Sequence, residues 1–465
     1  MSVLVILLAL AFLMAVAYRG YSVILFAPVA ALAAVLLTDA SLVPAVYTGV
    51  FMEKLVGFVK LYFPVFMLGA IFGKLVELSG FARSIVRAVT RVLGPERAMV
   101  AIVLVCALLT YGGVSLFVVA FAVYPFAAEL FRAAGIPKRL VPGTIALGAF
   151  TFTMDALPGT PQIQNIIPTT FFGTDTWAAP KLGCIGALVV FCAGMAYLDF
   201  RRRQAQAAGE GYGEGHTNEP APPDAEERLP HPLVALIPLV AVGVLNKVFS
   251  VAIPRAYGAS IDLAGRGFAH AEAIEVSKVA AVWAVEGALV AAILMVTALA
   301  YKRVTSGFAQ GVNLAIGGAM LACVNTASEY GFGAVVSSLP GFKVVSGALA
   351  GAIHDPLLNE AVTTTTLAGI TGSASGGMSI ALATMAPSYL EQAKALHIPP
   401  EVLHRVASMA SGGMDTLPHN GAVITLLAVT GLTHRQSYID IFAMTLIKTA
   451  AVFVAILVYE TTGLY

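Results

Sequence analysis

Charge is what this sequence has least of. Asp, Glu, Lys and Arg make up 11% of its 465 residues, against roughly 25% in an ordinary soluble domain. With 58% of its residues hydrophobic, the chain cannot furnish the polar surface that a soluble protein of this length needs. The net charge of +1 provides no basic excess to draw nucleic acid or a strongly acidic partner. Cysteine is scarce as well. Cys106, Cys184, Cys192 and Cys323 all lie in apolar runs, lack CxxC spacing and are read as small hydrophobes. No basic segment precedes the apolar run Met1 to Ala17, so a first transmembrane helix is expected there, not a cleaved signal peptide. No catalytic residue, metal ligand or cofactor is assigned, and the chain is not read as an enzyme.

What the sequence does contain is a series of apolar runs near the 17–25 residues that cross a bilayer. Residues 2–18, 21–38 and 57–73 form three spans. Arg19 after the first, and Lys74, Arg83, Arg87, Arg91 and Arg97 after the third, mark cytoplasmic loops and an outward N-terminus. Residues 98–131 are broken at Tyr111-Gly112-Gly113 and flanked by basic residues at both ends, which predicts a re-entrant hairpin. The span 140–170 is interrupted by Asp155, Pro158, Gly159 and Pro161. Residues 181–199 return to Arg201-Arg202-Arg203, and the polar stretch 201–230 reads as a flexible cytoplasmic linker. Spans at 232–252, 279–300 and 305–328, a second hairpin at 361–390, a broken helix at 404–432 and a last span at 438–459 complete the chain.

The two sides of the linker carry matching pieces in the same order. Gly112-Gly113-Val114-Ser115 matches Gly376-Gly377-Met378-Ser379, Ile136-Pro137 matches Ile398-Pro399, and Met154-Asp155-Ala156-Leu157-Pro158 matches Met414-Asp415-Thr416-Leu417-Pro418. The expected fold is an all-α polytopic membrane protein of two inverted repeats, 1–200 and 231–465, with re-entrant hairpins and broken transmembrane helices. Such repeats are a transporter signature, because irregular backbone at membrane depth must line a cavity or be buried in protein.

Each break starts a half-helix, expected near Ser115, Gln162, Met378 and Gly421. A half-helix start carries free N–H groups and about half a positive charge. Several together would hold a carboxylate without lysine or arginine, in keeping with the expectation that no basic residue sits deep near the breaks. Gly113, Ser115, Thr160, Gln162 and Asn165 in one half, and Ser375, Gly377, Ser379 and Asn420 in the other, are the candidate substrate contacts. Asp155 and Asp415 are the candidate proton carriers, because an acidic side chain at membrane depth costs about 2.5–3.5 kcal/mol to insert. A capping role for the half-helices that follow them is the alternative, and the two roles are compatible. His419 beside the second break could titrate near neutral pH. Glu77 and Glu329 are read as interfacial carboxylates near helix ends.

The stretches Thr153 to Gly159 and Ser411 to Asn420, with the hydropathy of the whole chain, resemble the gluconate permease (GntP) family of the ion transporter superfamily. That resemblance implies proton-coupled uptake of gluconate or related hydroxycarboxylates across a bacterial inner membrane. It also implies a homodimer and an elevator-like motion. The first tip, Tyr111 to Phe117, is closer to the branch associated with short hydroxy acids such as 3-hydroxybutyrate. Sodium is the alternative coupling ion, since Ser/Thr-rich tips can hold it. An anion channel and an intramembrane aspartyl protease are rivals of another class. Polar residues clustered at breaks, not spread along a pore face, favour alternating access over a channel. The repeat-equivalent placing of the two aspartates argues against a protease.

Overall fold

The computed structural model describes residues 2–19, 21–114, 116–220, 228–266, 273–342, 344, 353–371, 373–418 and 420–465. Its elements are almost all helical, as backbone groups in hydrocarbon require. In chain order they are α1 (Ser2–Tyr18), α2 (Val23–Thr38), α3 (Val43–Val46), α4 (Glu53–Leu78), α5 (Phe81–Leu93), α6 (Ala98–Tyr111) and α7 (Leu116–Ala133). Then come α8 (Val141–Ala149), α9 (Phe152–Asp155), α10 (Ile163–Phe172), α11 (Pro180–Ala207), α12 (Pro232–Tyr257), α13 (Val276–Leu299) and α14 (Tyr301–Ser338). The last five are α15 (Pro356–Thr371), α16 (Ala374–Ala395), α17 (Pro400–Gly412), α18 (Gly421–Thr430) and α19 (His434–Thr462). Two short strands, β1 (Ser260–Ile261) and β2 (Ile274–Glu275), pair antiparallel between α12 and α13.

Among the described residues, six helical runs are long and apolar enough to cross a bilayer: Ala40–Leu78, α11, α12, α13, α14 and α19. A seventh counts if α5 and the run Pro95–Tyr111, bent by 104°, form one span. The chain is therefore a multi-pass membrane protein. Where the sequence suggested a loop after residue 73, α4 continues to Leu78 and α5 follows, burying Phe81, Ala82, Ile85 and Val86 under a basic outer face.

The helices pack in two groups. In one, α1 lies on α2, α4 lies on α13 and α14, α14 also packs on α2, and α12 packs on α13. In the other, α6–α11 and α15–α19 surround the breaks, with α11 on α19, α8 on α6 and α19, and α10 on α17. The groups meet where α14 lies against α16, α13 against α10 and α1 against α15.

The segment after α11 departs from the flexible linker that its composition suggested. Residues 201–207 extend α11, and the next stretch docks on the second group. Thr217 Oγ1 donates to Gly431 O at 2.8 Å, Tyr124 Oη donates to Asn218 O at 2.9 Å, and Glu219 pairs with the buried Lys138 at 2.7 Å and with Arg132. The polar residues of this strap find fixed partners at the helix ends, which composition alone does not reveal.

Candidate functional site

The first broken helix ends its first part at α8 and resumes at α10. Between them, the one-turn α9 leaves the backbone carbonyl of Asp155 without a helical acceptor role. Two donors from α17 satisfy it: Arg405 Nη1 at 2.7 Å and Ser408 Oγ at 2.8 Å. Arg405 is fully buried and also donates to Asn165 Oδ1 at 3.0 Å and to Ala178 O at 2.7 Å. One guanidinium thus ties α9, α10 and the segment before α11 to α17, using the fixed fork of donors that arginine provides. The Asp155 carboxylate turns the other way, into an ion pair with Lys448 of α19. Both side chains are at most 2% exposed. Gly412 borders the pair, and a methyl there would run into both Asp155 Oδ2 and Lys448 Nζ.

Asp415 sits in the 3-10 turn Gly413–Thr416 of the second broken helix. It has no direct cationic partner among the described residues. Its carboxylate instead accepts from Gln164 Nε2 at 2.7 Å, from the backbone N–H of Ala374 at 3.2 Å and from Asn420 Nδ2 at 3.4 Å. Those donors stand at the starts of α10, α16 and α18, so one carboxylate binds three half-helix beginnings together. Of the two aspartates, Asp415 is the one that caps a helix, and the helix is α16 of the neighbouring hairpin. The half-helix α18 is capped by Asn420 Oδ1, which accepts from Ala422 N–H at 2.8 Å.

The structure corrects the view that no basic residue lies deep near the breaks: Lys448 and Arg405 both do. It also moves one half-helix start. α16 begins at Ala374, not near Met378, with Ser373 as its N-cap accepting from Gly376 N–H at 3.1 Å. Gly377 therefore lies inside the first turns, against the backbone of Ala368 in the other hairpin arm. Ser379 is buried and bonds back to Ser375 O at 2.7 Å, the usual fate of a mid-helix serine. Ser375 stays at the tip, 3.3 Å from Thr326 Oγ1.

In the first half, Gly113 forms the hairpin turn at φ +90° and approaches Pro161. Gln162 is the N-cap of α10 and donates to Thr110 O at 2.7 Å. Asn165 is consumed by the fold. Its amide donates to Thr160 O and Thr176 O, and its oxygen accepts from Arg405 and His404. Thr160 Oγ1 and Gln164 Oε1 are buried with no hydrogen-bond partner among the described residues. Ser115 and His419 lie outside the described residues.

Sequence reasoning missed Lys448, Arg405, Gln164 as a partner of Asp415, and Glu329. Glu329 is not at a helix end: it stands inside α14, is 3% exposed and faces the tip of the second hairpin. Glu77, by contrast, is at the end of α4, paired with Lys74 at 2.7 Å.

Interrupted helices meeting at a buried cluster of charged and polar groups inside an apolar bundle are the architecture of polytopic membrane transporters. No family model matches the sequence. YxjC of Bacillus subtilis (strain 168), described as an uncharacterized transporter, is 58% identical over 472 aligned positions that cover the whole of both chains. The chain belongs to the same transporter family as YxjC. The crystal structure of the YdaH transporter of Alcanivorax borkumensis, described as having an unusual topology, is similar in fold. Its TM-score is 0.57 at 14% identity, over 91% of this chain and 90% of that one.

Proposed function

We propose that this transporter is a secondary active importer that couples proton entry to uptake of a small organic anion. Gluconate or a short hydroxycarboxylate such as 3-hydroxybutyrate is the substrate class. The observation that carries this reading is the gathering of three half-helix starts around Asp415, beside the Asp155–Lys448 pair and the buried Arg405. Half-helix starts and two buried cations favour an anion. The buried oxygens of Thr160 and Gln164 stand ready to hydrogen-bond a hydroxylated substrate. The two aspartates neutralise the site when it is empty.

A monocarboxylate entering a cell works against an inside-negative potential of about 2.3 kcal/mol per charge per 100 mV, so uphill uptake needs a co-transported cation. Asp415, held by neutral donors, is better placed than the lysine-bound Asp155 to exchange a proton, and His419 is its neighbour in sequence. The matching motifs of the two halves support an inverted repeat. In this reading the second helix group carries substrate in an elevator-like motion against the first, within a homodimer in the bacterial inner membrane. Both termini face the periplasm.

A thermal-shift screen of the purified protein against gluconate, 3-hydroxybutyrate, lactate and citrate tests the substrate class. Stabilisation by a hydroxycarboxylate, greater at acid pH, is expected. Stabilisation by none of the four overturns the assignment, and uptake driven by a sodium gradient alone overturns the proton.

A further inference from the structure

The tip of the second hairpin is touched from the first helix group by one acidic side chain. α14 presents Thr326, Glu329 and Gly333 at helical spacing to α16. Thr326 meets Ser375, and Gly333 lets Ile380 approach. Between them the Glu329 carboxyl lies over Gly376, where a methyl group would collide with it. Glu329 Oε2 is buried and has no hydrogen-bond partner among the described residues, while the Ser373 side chain reaches the same carboxyl. Among the described residues, Ser373 and Asp415 are the groups that act on it electrostatically. α2, α4 and α13 bring no charge to it. The other described hydrogen bonds from this group to the broken-helix region come from neutral groups, Asn246 of α12 to Gly159 O at 3.2 Å and Tyr62 of α4 with Thr170 Oγ1 of α10 at 2.8 Å.

The first turn of α16 is thus approached by two carboxyls, Asp415 from its own helix group and Glu329 from the opposing one. A helix start offers favourable positions to anions but has room for few of them. We propose that Glu329 holds the place of the substrate carboxylate in the empty transporter, and that the anion takes this place only when Glu329 carries a proton. Ionised, Glu329 occupies the positive turn and repels a second carboxylate. Protonated, it no longer competes, and the substrate carboxylate meets the α16 start, Ser373 and Ser375. Glu329 then determines at which pH the site accepts an anion. This inference rests on the reading of the cluster as an organic-anion site.

Two measurements on the full chain in lipid nanodiscs test it. The first is the affinity for 3-hydroxybutyrate and for gluconate between pH 5 and pH 8. For the wild type it is expected to fall by about tenfold per pH unit above the range where Glu329 ionises, the slope of one linked proton. Glu329→Gln should remove one proton's worth of that slope and leave whatever Asp415 contributes. Gly376→Ala, which evicts the carboxyl without altering it, should do the same and serves if the first variant folds poorly. A wild-type slope retained in both variants overturns the proposal.

The second measurement needs no substrate, so it stands even if neither anion binds and the functional reading fails. Ser375→Cys is introduced where the exposed Cys184 and Cys192 have been replaced by serine. Its rate of modification by a water-soluble maleimide is compared with and without Glu329→Gln. The ratio of the two rates cancels the titration of the thiol itself. It should grow in favour of Glu329→Gln as pH rises, and a ratio fixed near one overturns the proposal.

Discussion

Asp155 and Asp415 stand in nearly the same local sequence, Met154 to Pro158 and Met414 to Pro418, yet they meet opposite chemistry. Asp155 faces a buried ammonium, and its backbone carbonyl is held by a buried guanidinium. Asp415 is surrounded by amides and a backbone N–H. Both cations come from the second half of the chain, one from α17 and one from α19, and among the described residues neither makes an ion pair with Asp415. A motif that occurs twice has thus become one fixed anchor and one adjustable contact. The anchor joins the broken helices into one body. The Asp415 carboxylate sits where the half-helices start, the place that the proposed function gives to the substrate.

Breaking the anchor should have the largest effect. Removing one partner of a buried ion pair leaves an uncompensated charge, which costs about 3–5 kcal/mol. Lys448→Met should therefore lower thermal stability sharply and abolish uptake. Lys448→Met with Asp155→Asn should recover most of the stability, since both charges are gone, but not the transport. A single Lys448→Met variant as stable as the wild type would show that the pair is not an anchor.

The adjustable side should respond more mildly. Gln164→Ala and Asn420→Ala each remove one neutral donor from Asp415, a loss of about 1–3 kcal/mol. Each should raise the KM for the transported anion while leaving the fold intact by circular dichroism. Equal KM values in wild type and both variants would remove Asp415 from the substrate path.

A third carboxyl sharpens the contrast because it has neither kind of partner. Among the described residues, both oxygens of Glu360 in α15 are buried without a hydrogen bond, and Thr364 Oγ1 one turn on is in the same condition. Glu360→Met replaces an unsatisfied group by an apolar one of similar length. It is expected to raise the melting temperature, by the equivalent of about 1–3 kcal/mol. A lowered melting temperature would mean that Glu360 has a partner in the working protein.

The smallest effect is expected at the docked strap. The Arg139 guanidinium, hydrogen-bonded to Glu210 at 2.8 Å, holds that carboxyl below the usual carboxylate range. A depressed pKa gives stability that is present above the ordinary carboxylate range and is lost as pH falls through the lowered value. Acidification should therefore lower the wild-type melting temperature slightly more than that of Glu210→Gln. The difference should be small, because Glu210 is largely exposed and surface pairs contribute little.

Much of the fold is legible in the sequence because apolar runs and their Gly/Pro interruptions act locally. The half-helix starts at Gln162 and Gly421 can be read from the residues beside them. The chemistry of the site is less legible because its partners are remote. Lys448 pairs with a residue 293 positions away and, in sequence, is a lone cation in the final apolar run. Arg405 reads as a basic residue near a helix start until α17 is seen packed on α10. Ser379 looks like a tip residue only while α16 is taken to begin near Met378. Ser373 can cap the helix instead, and this shifts the start forward and leaves the Ser379 hydroxyl to its own backbone.

The most direct test of the account is accumulation of labelled 3-hydroxybutyrate and gluconate by proteoliposomes of the wild-type protein. The measurement is made with an inward proton gradient, and again with that gradient collapsed by a protonophore. Accumulation of one of these anions above equilibrium is expected only while the proton gradient stands. Accumulation that survives the protonophore and follows an imposed sodium gradient, or transport of neither anion, would contradict it.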